Sequence, residues 1–154
     1  MPSYADAGQG GSILMTIAIP ESHRDLLERP ICGVLATMLP SGFPQATVVW
    51  CGFDGANVLV STTAERTKTR NMTERPMVAI LIADPEDGNR WIQIRGAAEI
   101  TEVGALEIAD RLATAYTGHA TYYGGVVPAE QQHEETRVLC TIRPTRVSVD
   151  AIHP

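Results

Sequence analysis

Lysine is almost absent from this chain. Lys68 is the only one in 154 residues, against eleven arginines and a formal net charge of −6. General nucleic-acid binding draws its affinity from clustered Lys and Arg that displace phosphate counterions, so an acidic chain of this kind is not expected to bind nucleic acid. Long apolar runs are missing too. None approaches the roughly 18 residues of a membrane span, so no membrane association is expected. The opening residues, MPSYADAGQGGS, carry neither the basic nor the apolar region of a secretory signal, and the expected setting is cytoplasmic. Cys32, Cys51 and Cys140 form no CxxC pair, and their odd number argues against a disulfide framework. All three sit in apolar stretches and are expected as buried free thiols. No GxGxxG or Walker-type loop is present, which argues against Rossmann and P-loop chemistry. The histidines His23, His119, His133 and His153 stand apart from one another, so no metal site is expected, and no Ser/His/Asp or Cys/His arrangement stands out.

What is present suits one soluble domain: 44% apolar residues and 19% charged residues. Residues 1–15 are expected to be a disordered N-terminal arm and residues 16–154 the folded unit. PESHRDLLERP (20–30) predicts a short helix with Pro20 in its first turn and Pro30 as its stop. ICGVLATML (31–39), FPQATVVWCGF (43–53) and VLVSTT (58–63) then read as strands separated by the turns PSG and DGAN. A helix is expected over about 67–75, a fully apolar strand over 77–84 and another strand over 90–101. An amphipathic helix follows over 102–116, with Val103, Leu106, Ile108, Ala109 and Leu112 on its apolar side. Residues 137–150 form the last strand. About six strands joined by tight turns, with three helices, make a mainly β protein: an antiparallel meander closing into a small barrel.

The lone lysine lies in STTAERTKTRNM (61–72), flanked by Arg66 and Arg70. A turn through Thr63–Arg66, with a helix opening near Thr67 or Thr69, would bring free helix-start amides together with the Ser61, Thr62 and Thr63 hydroxyls and the cations. That set suits a phosphate. The competing reading is a solvated helix face whose cations are partly neutralised by Glu65 and Glu74.

The order of these segments resembles the pyridoxamine-phosphate-oxidase-like split β-barrel over about residues 18–150. RTKTRN, followed by a proline and an apolar strand, carries the likeness most specifically. More narrowly, the chain is similar to the flavin/deazaflavin oxidoreductase group B, which uses coenzyme F420. The resemblance implies a homodimer with cofactor sites at the subunit interface and hydride transfer from reduced deazaflavin to a small organic acceptor. FMN is the alternative cofactor, used as an oxidase or reductase, and a non-catalytic flavin- or haem-binding module is the alternative outside enzymes. Carried onto this sequence, Arg66, Lys68 and Asn71 would hold the cofactor's phosphate or the start of its acidic tail. Ser61 and Thr62 would lie beside its linker, and Gln45, Ala46, Thr47, Val48 and Val49 would border the ring. Arg70 would either join them or pair with Glu74.

In the strand over 90–101, Trp91, Gln93 and Arg95 share one face while Ile92 and Ile94 share the other. The polar face is expected at the dimer interface near the partner's cofactor, the alternative being a wet sheet face. Trp50, Tyr122 and Tyr123 are candidates for the substrate pocket. The tyrosines could equally be aromatic packing beneath a Gly-rich loop. No catalytic acid is identified.

Overall fold

The segment expected as one strand over 43–53 is broken at Trp50, and that break organises the sheet. A computed structural model describes residues 16–153, so the expected arm over 1–15 lies outside the described residues. Strand β1 (Gly33–Met38) pairs with β2 (Pro44–Val49) across a turn in which Gly42 takes φ 90°. After Trp50 the chain continues as β3 (Cys51–Phe53), which pairs instead with β4 (Val58–Thr63). Helix α2 (Thr67–Glu74) leads to β5 (Met77–Asp84), and a tight turn joins this to β6 (Asp87–Thr101). Helix α3 (Ala105–Thr117) and a 3-10 turn over Ala129–His133 precede β7 (Arg137–Val149).

Among the described residues every strand pairing in the sheet is antiparallel, and the order is β2-β1-β5-β6-β7-β4-β3. The two edge strands are therefore consecutive pieces of one segment. The sheet curls until its edges meet at Trp50, which makes a split β-barrel of seven strands rather than six. Consecutive strands are neighbours in β1-β2, β3-β4 and β5-β6-β7, and the crossover is β4 to β5 through α2.

Alternation fills the interior. Val58, Val60, Ile80, Ile82, Ile92, Ile94, Cys140 and Ile142 are all buried within one core. Each such aliphatic side chain contributes about 1.5–3 kcal/mol on burial, so this layer dominates the stability. The expected helix over 20–30 splits into a 3-10 turn (Glu21–His23) and a single turn α1 (Asp25–Glu28). Its Leu26 and Leu27 plug one barrel end, and Met72 of α2 also reaches the core.

Strand β5 buries Val78, Ile80 and Ile82 and turns Met77 and Leu81 outward at 64% and 41% exposure. Two further expectations change. Cys32 is exposed, since alternation at the start of β1 turns it away from its buried neighbours Ile31 and Gly33. Helix α3 opens only after Gly104, which takes φ 77°, so Val103 stays exposed and Leu106 is partly so. The buried helix face is Ala105, Ala109, Leu112 and Ala113. No described helix is long and apolar enough to cross a membrane.

Two of the scattered histidines meet the end of β7. Buried His23 faces Asp150 through Nε2 at 2.6 Å, and the Ser22 hydroxyl lies 2.8 Å from its Nδ1. The same carboxylate accepts from the amides of Trp91, Ile152 and His153 and lies 2.8 Å from His153 Nδ1. Burial alone would raise the Asp150 pKa, but the His23 and His153 contacts and these amides hold it well below the ordinary carboxylate range. A carboxyl whose folded value is depressed stabilises the fold above its unfolded value, about 3.9, and loses that contribution as pH falls through the depressed one. Asp150→Asn is expected to lower the thermal midpoint at pH 7 and to weaken its acid dependence, as read by circular dichroism across the acid range. An unchanged midpoint would contradict the clamp.

Candidate functional site

Helix α2 opens at Thr67, with Arg66 still in extended backbone at φ −72° and ψ 145°. The Thr69 hydroxyl donates to the Thr63 carbonyl at 2.6 Å, and the Arg66 amide reaches the same carbonyl at 3.3 Å. This ties the helix start to the end of β4. No side chain caps the helix; the Thr69 amide turns back to the Arg66 carbonyl at 3.1 Å, which leaves the Thr67 and Lys68 amides available to a ligand. Arg66, just before the helix, and Lys68, in its first turn, both line one cleft. Arg70 lies about 200° further round from Lys68 and points away. Its guanidinium donates to the Glu65 carbonyl and the Thr67 hydroxyl, and the expected pair with Glu74 is not made, because Glu74 bonds Arg75.

The cleft has a volume of about 270 Å³. It gathers Val48, Val49 and Trp50 from the break between β2 and β3, Ser61, Thr62 and Thr63 from β4, and Arg66 and Lys68 from the start of α2. Tyr122 closes one wall. The Trp50 indole stacks on Tyr116 with centroids 5.2 Å apart and meets Tyr122 edge-on at 6.3 Å. The stack divides this cleft from a larger one of about 630 Å³ between α1, β3 and α3, whose charged residues are of mixed sign.

The charge balance in the smaller cleft favours an anion. Glu65 makes no ion pair with Arg66 or Lys68 among the described residues; its carboxylate is turned to the Thr136 amide. Neither Arg66 nor Lys68 makes an ion pair among the described residues. Burial, and then the positive charge of Arg66, pull the Lys68 pKa below its ordinary value. An ammonium half-withdrawn from water beside a guanidinium is relieved by a bound anion and by little else. Residues and hydroxyls here fit a phosphate group.

Other expected site residues are placed elsewhere. Asn71 is buried beneath the cleft, donating to the Thr37 hydroxyl at 3.0 Å and approaching the Gln45 carbonyl oxygen at 3.4 Å, so it and Gln45 brace α2 against β1 and β2. Ala46 faces outward on β2, while the Thr47 hydroxyl is buried without a partner. Tyr123 turns inward and donates to Glu135 at 2.7 Å, leaving only Tyr122 on the cleft. Trp91 and Gln93 lie on the outer face of β6, away from this chain's own cleft. Three lining residues were missed: Ala109, Val126 and Arg137. Arg137 is the register partner of Thr63, a long-range pairing that the order of residues along the chain does not disclose.

Comparison with known proteins fits this geometry. The sequence profile of the pyridoxamine 5'-phosphate oxidase family matches residues 19–149. Among solved structures the chain is similar to an F420 reductase, with 34% identity and a TM-score of 0.72, covering 84% of this chain and 98% of that one. It is also similar to a conserved hypothetical protein from Mycobacterium tuberculosis, with 26% identity and a TM-score of 0.68 over 87% and 86% of the two chains. The General Stress Protein 26 from Bacillus anthracis shares the fold at 17% identity, with a TM-score of 0.62 over 84% and 92%.

Proposed function

The chain belongs to the pyridoxamine 5'-phosphate oxidase family of split barrels, and from that premise we propose that it is a homodimeric oxidoreductase that uses coenzyme F420. The observation that carries this reading is the unneutralised Arg66–Lys68 pair beside three hydroxyls at the helix start. The 34% identity to an F420 reductase favours deazaflavin over FMN, since both cofactors carry a phosphate that the cations would accept. When bound, the reduced deazaflavin would supply a hydride from its C5 to a small conjugated acceptor.

The protein's share is positioning and exclusion of water. Arg66, Lys68 and the Thr67 and Lys68 amides would fix the phosphate, with Ser61 where the phosphate meets the linker. The backbone of Val48 and Val49 would set the ring, and Trp50 and Tyr122 would wall off solvent. Anaerobic mixing of the reduced cofactor with quinone-like and other conjugated acceptors tests the reaction. Protein-dependent reoxidation in at least one mixture is expected, and tight binding without any turnover would favour the non-catalytic module.

The dimer has its own support. Val48, Val34 and Leu81 lie side by side across β2, β1 and β5, with exposures of 69%, 40% and 41%. Gln93 continues that row, and Trp91 and Arg95 flank it on β6. An apolar stripe rimmed by Trp, Gln and Arg has the make-up of an interface, and it would carry Trp91 and Gln93 toward the partner's cleft. Leu81→Glu is expected to yield monomers in sedimentation velocity and to weaken cofactor binding with the fold intact. A wild-type chain that sediments as a monomer at micromolar concentration would contradict the dimer.

A further inference from the structure

Arg137 is the one cleft cation that the helix start does not supply. It opens β7 opposite Thr63, and its guanidinium lies over the Tyr122 ring, 4.3 Å from the centroid. Nε donates to the Tyr123 hydroxyl at 3.2 Å, and Nη2 donates to Glu135 at 2.9 Å. The Arg137 and Glu135 side chains are only 10% and 16% exposed. Tyr123 in turn donates to the Glu135 oxygen that Arg137 contacts, so the guanidinium plane is held from two sides. Nη1 is left with one long contact, 3.4 Å to the Ser61 hydroxyl.

A buried arginine–carboxylate pair often serves only as a strut. A strut has no need to line the cleft, and it has no need to aim its least satisfied nitrogen at a hydroxyl that lines the cleft too. Arg137 does both.

We propose that Arg137 is a third phosphate-binding cation of this cleft, its Nη1 and the Ser61 hydroxyl acting as paired donors that Glu135 and Tyr123 hold in place. The inference rests on the cofactor reading above and adds a residue from a third element to it. Phosphate held from β7, from the turn before α2 and from the first turn of α2 is enclosed on three sides. Glu135 moderates the charge that the ligand meets, so it also sets how strongly phosphate is preferred.

The test compares ligands with and without phosphate: FMN against riboflavin, which differ by the phosphate alone, and coenzyme F420 against its deazariboflavin chromophore, which lacks the acidic tail as well. Arg137→Met is expected to weaken the phosphate-bearing ligands by about 10- to 100-fold, the range for losing a charge-assisted hydrogen bond. The phosphate-free ligands should change by less than about 3-fold, within ordinary context scatter. Arg137→Lys keeps the charge without the fork and should fall between. Glu135→Gln frees the guanidinium and should tighten the phosphate-bearing ligands, and these two variants decide the matter if Arg137→Met does not fold. Equal losses on both kinds of ligand would reduce Arg137 to a strut while leaving the cofactor reading intact. A wild-type protein that binds no phosphate-bearing ligand would remove both.

Discussion

Lys68→Ala is expected to weaken binding of coenzyme F420 by about 1–3 kcal/mol, or about 5- to 150-fold in Kd. The lysine is half-buried, lines the cleft and has no carboxylate to release when it is removed. The effect should carry a pH signature. Burial and the Arg66 charge lower the Lys68 pKa, and an anionic ligand needs the charged ammonium. Affinity should therefore hold through neutral pH and fall as pH climbs through that lowered value. Lys68→Arg should keep its affinity to higher pH, and Lys68→Ala should lose the alkaline decline altogether. Fluorescence titrations at a series of pH values read all three. Unchanged affinity in Lys68→Ala would return RTKTRN to a solvated helix face.

Gly96→Ala is expected to cost about 3 kcal/mol of stability, about 6–12 °C in thermal midpoint for a chain of this size. The ladder between β6 and β7 shifts register between Arg95 and Gly96, and there the backbone of β7 approaches so closely that a Cβ on Gly96 would overlap the Arg143 carbonyl. Only backbone movement in the longest strand pair could relieve that contact. Gly88→Ala is the control: its added methyl meets open space, and a change within about 0.5 kcal/mol is expected. Equal effects from the two substitutions, by thermal denaturation, would contradict the close approach.

Local chemistry announced most of the elements. VLVSTT became β4 over Val58–Thr63, and the TKTRNMTE stretch closed by Pro76 became α2 over Thr67–Glu74. The helix start that the Thr/Arg/Lys run implied formed at Thr67, which is why Arg66 and Lys68 converge. What stayed hidden depends on contacts far apart in the chain. The break at Trp50 follows from strand exchange between two barrel edges, and no glycine or proline marks it. Asn71 carries the right amide for a ligand, yet buried Thr37 competes for it from 34 residues away. Tyr122 and Tyr123 look equivalent in TYYGG. Glu135 draws the second inward, while the first remains beside Trp50. His23 gave no sign of Asp150, 127 residues later.

The cleft between Trp50, Ser61, Lys68 and Tyr122 is expected to hold coenzyme F420 by its phosphate. Parallel fluorescence titration of the purified protein with coenzyme F420 and with FMN puts this to the test. Saturable binding of the deazaflavin at micromolar affinity or tighter, with FMN clearly weaker, is the predicted result. Binding of FMN alone would move the protein to a flavin-dependent branch of its family, and binding of neither would contradict the account.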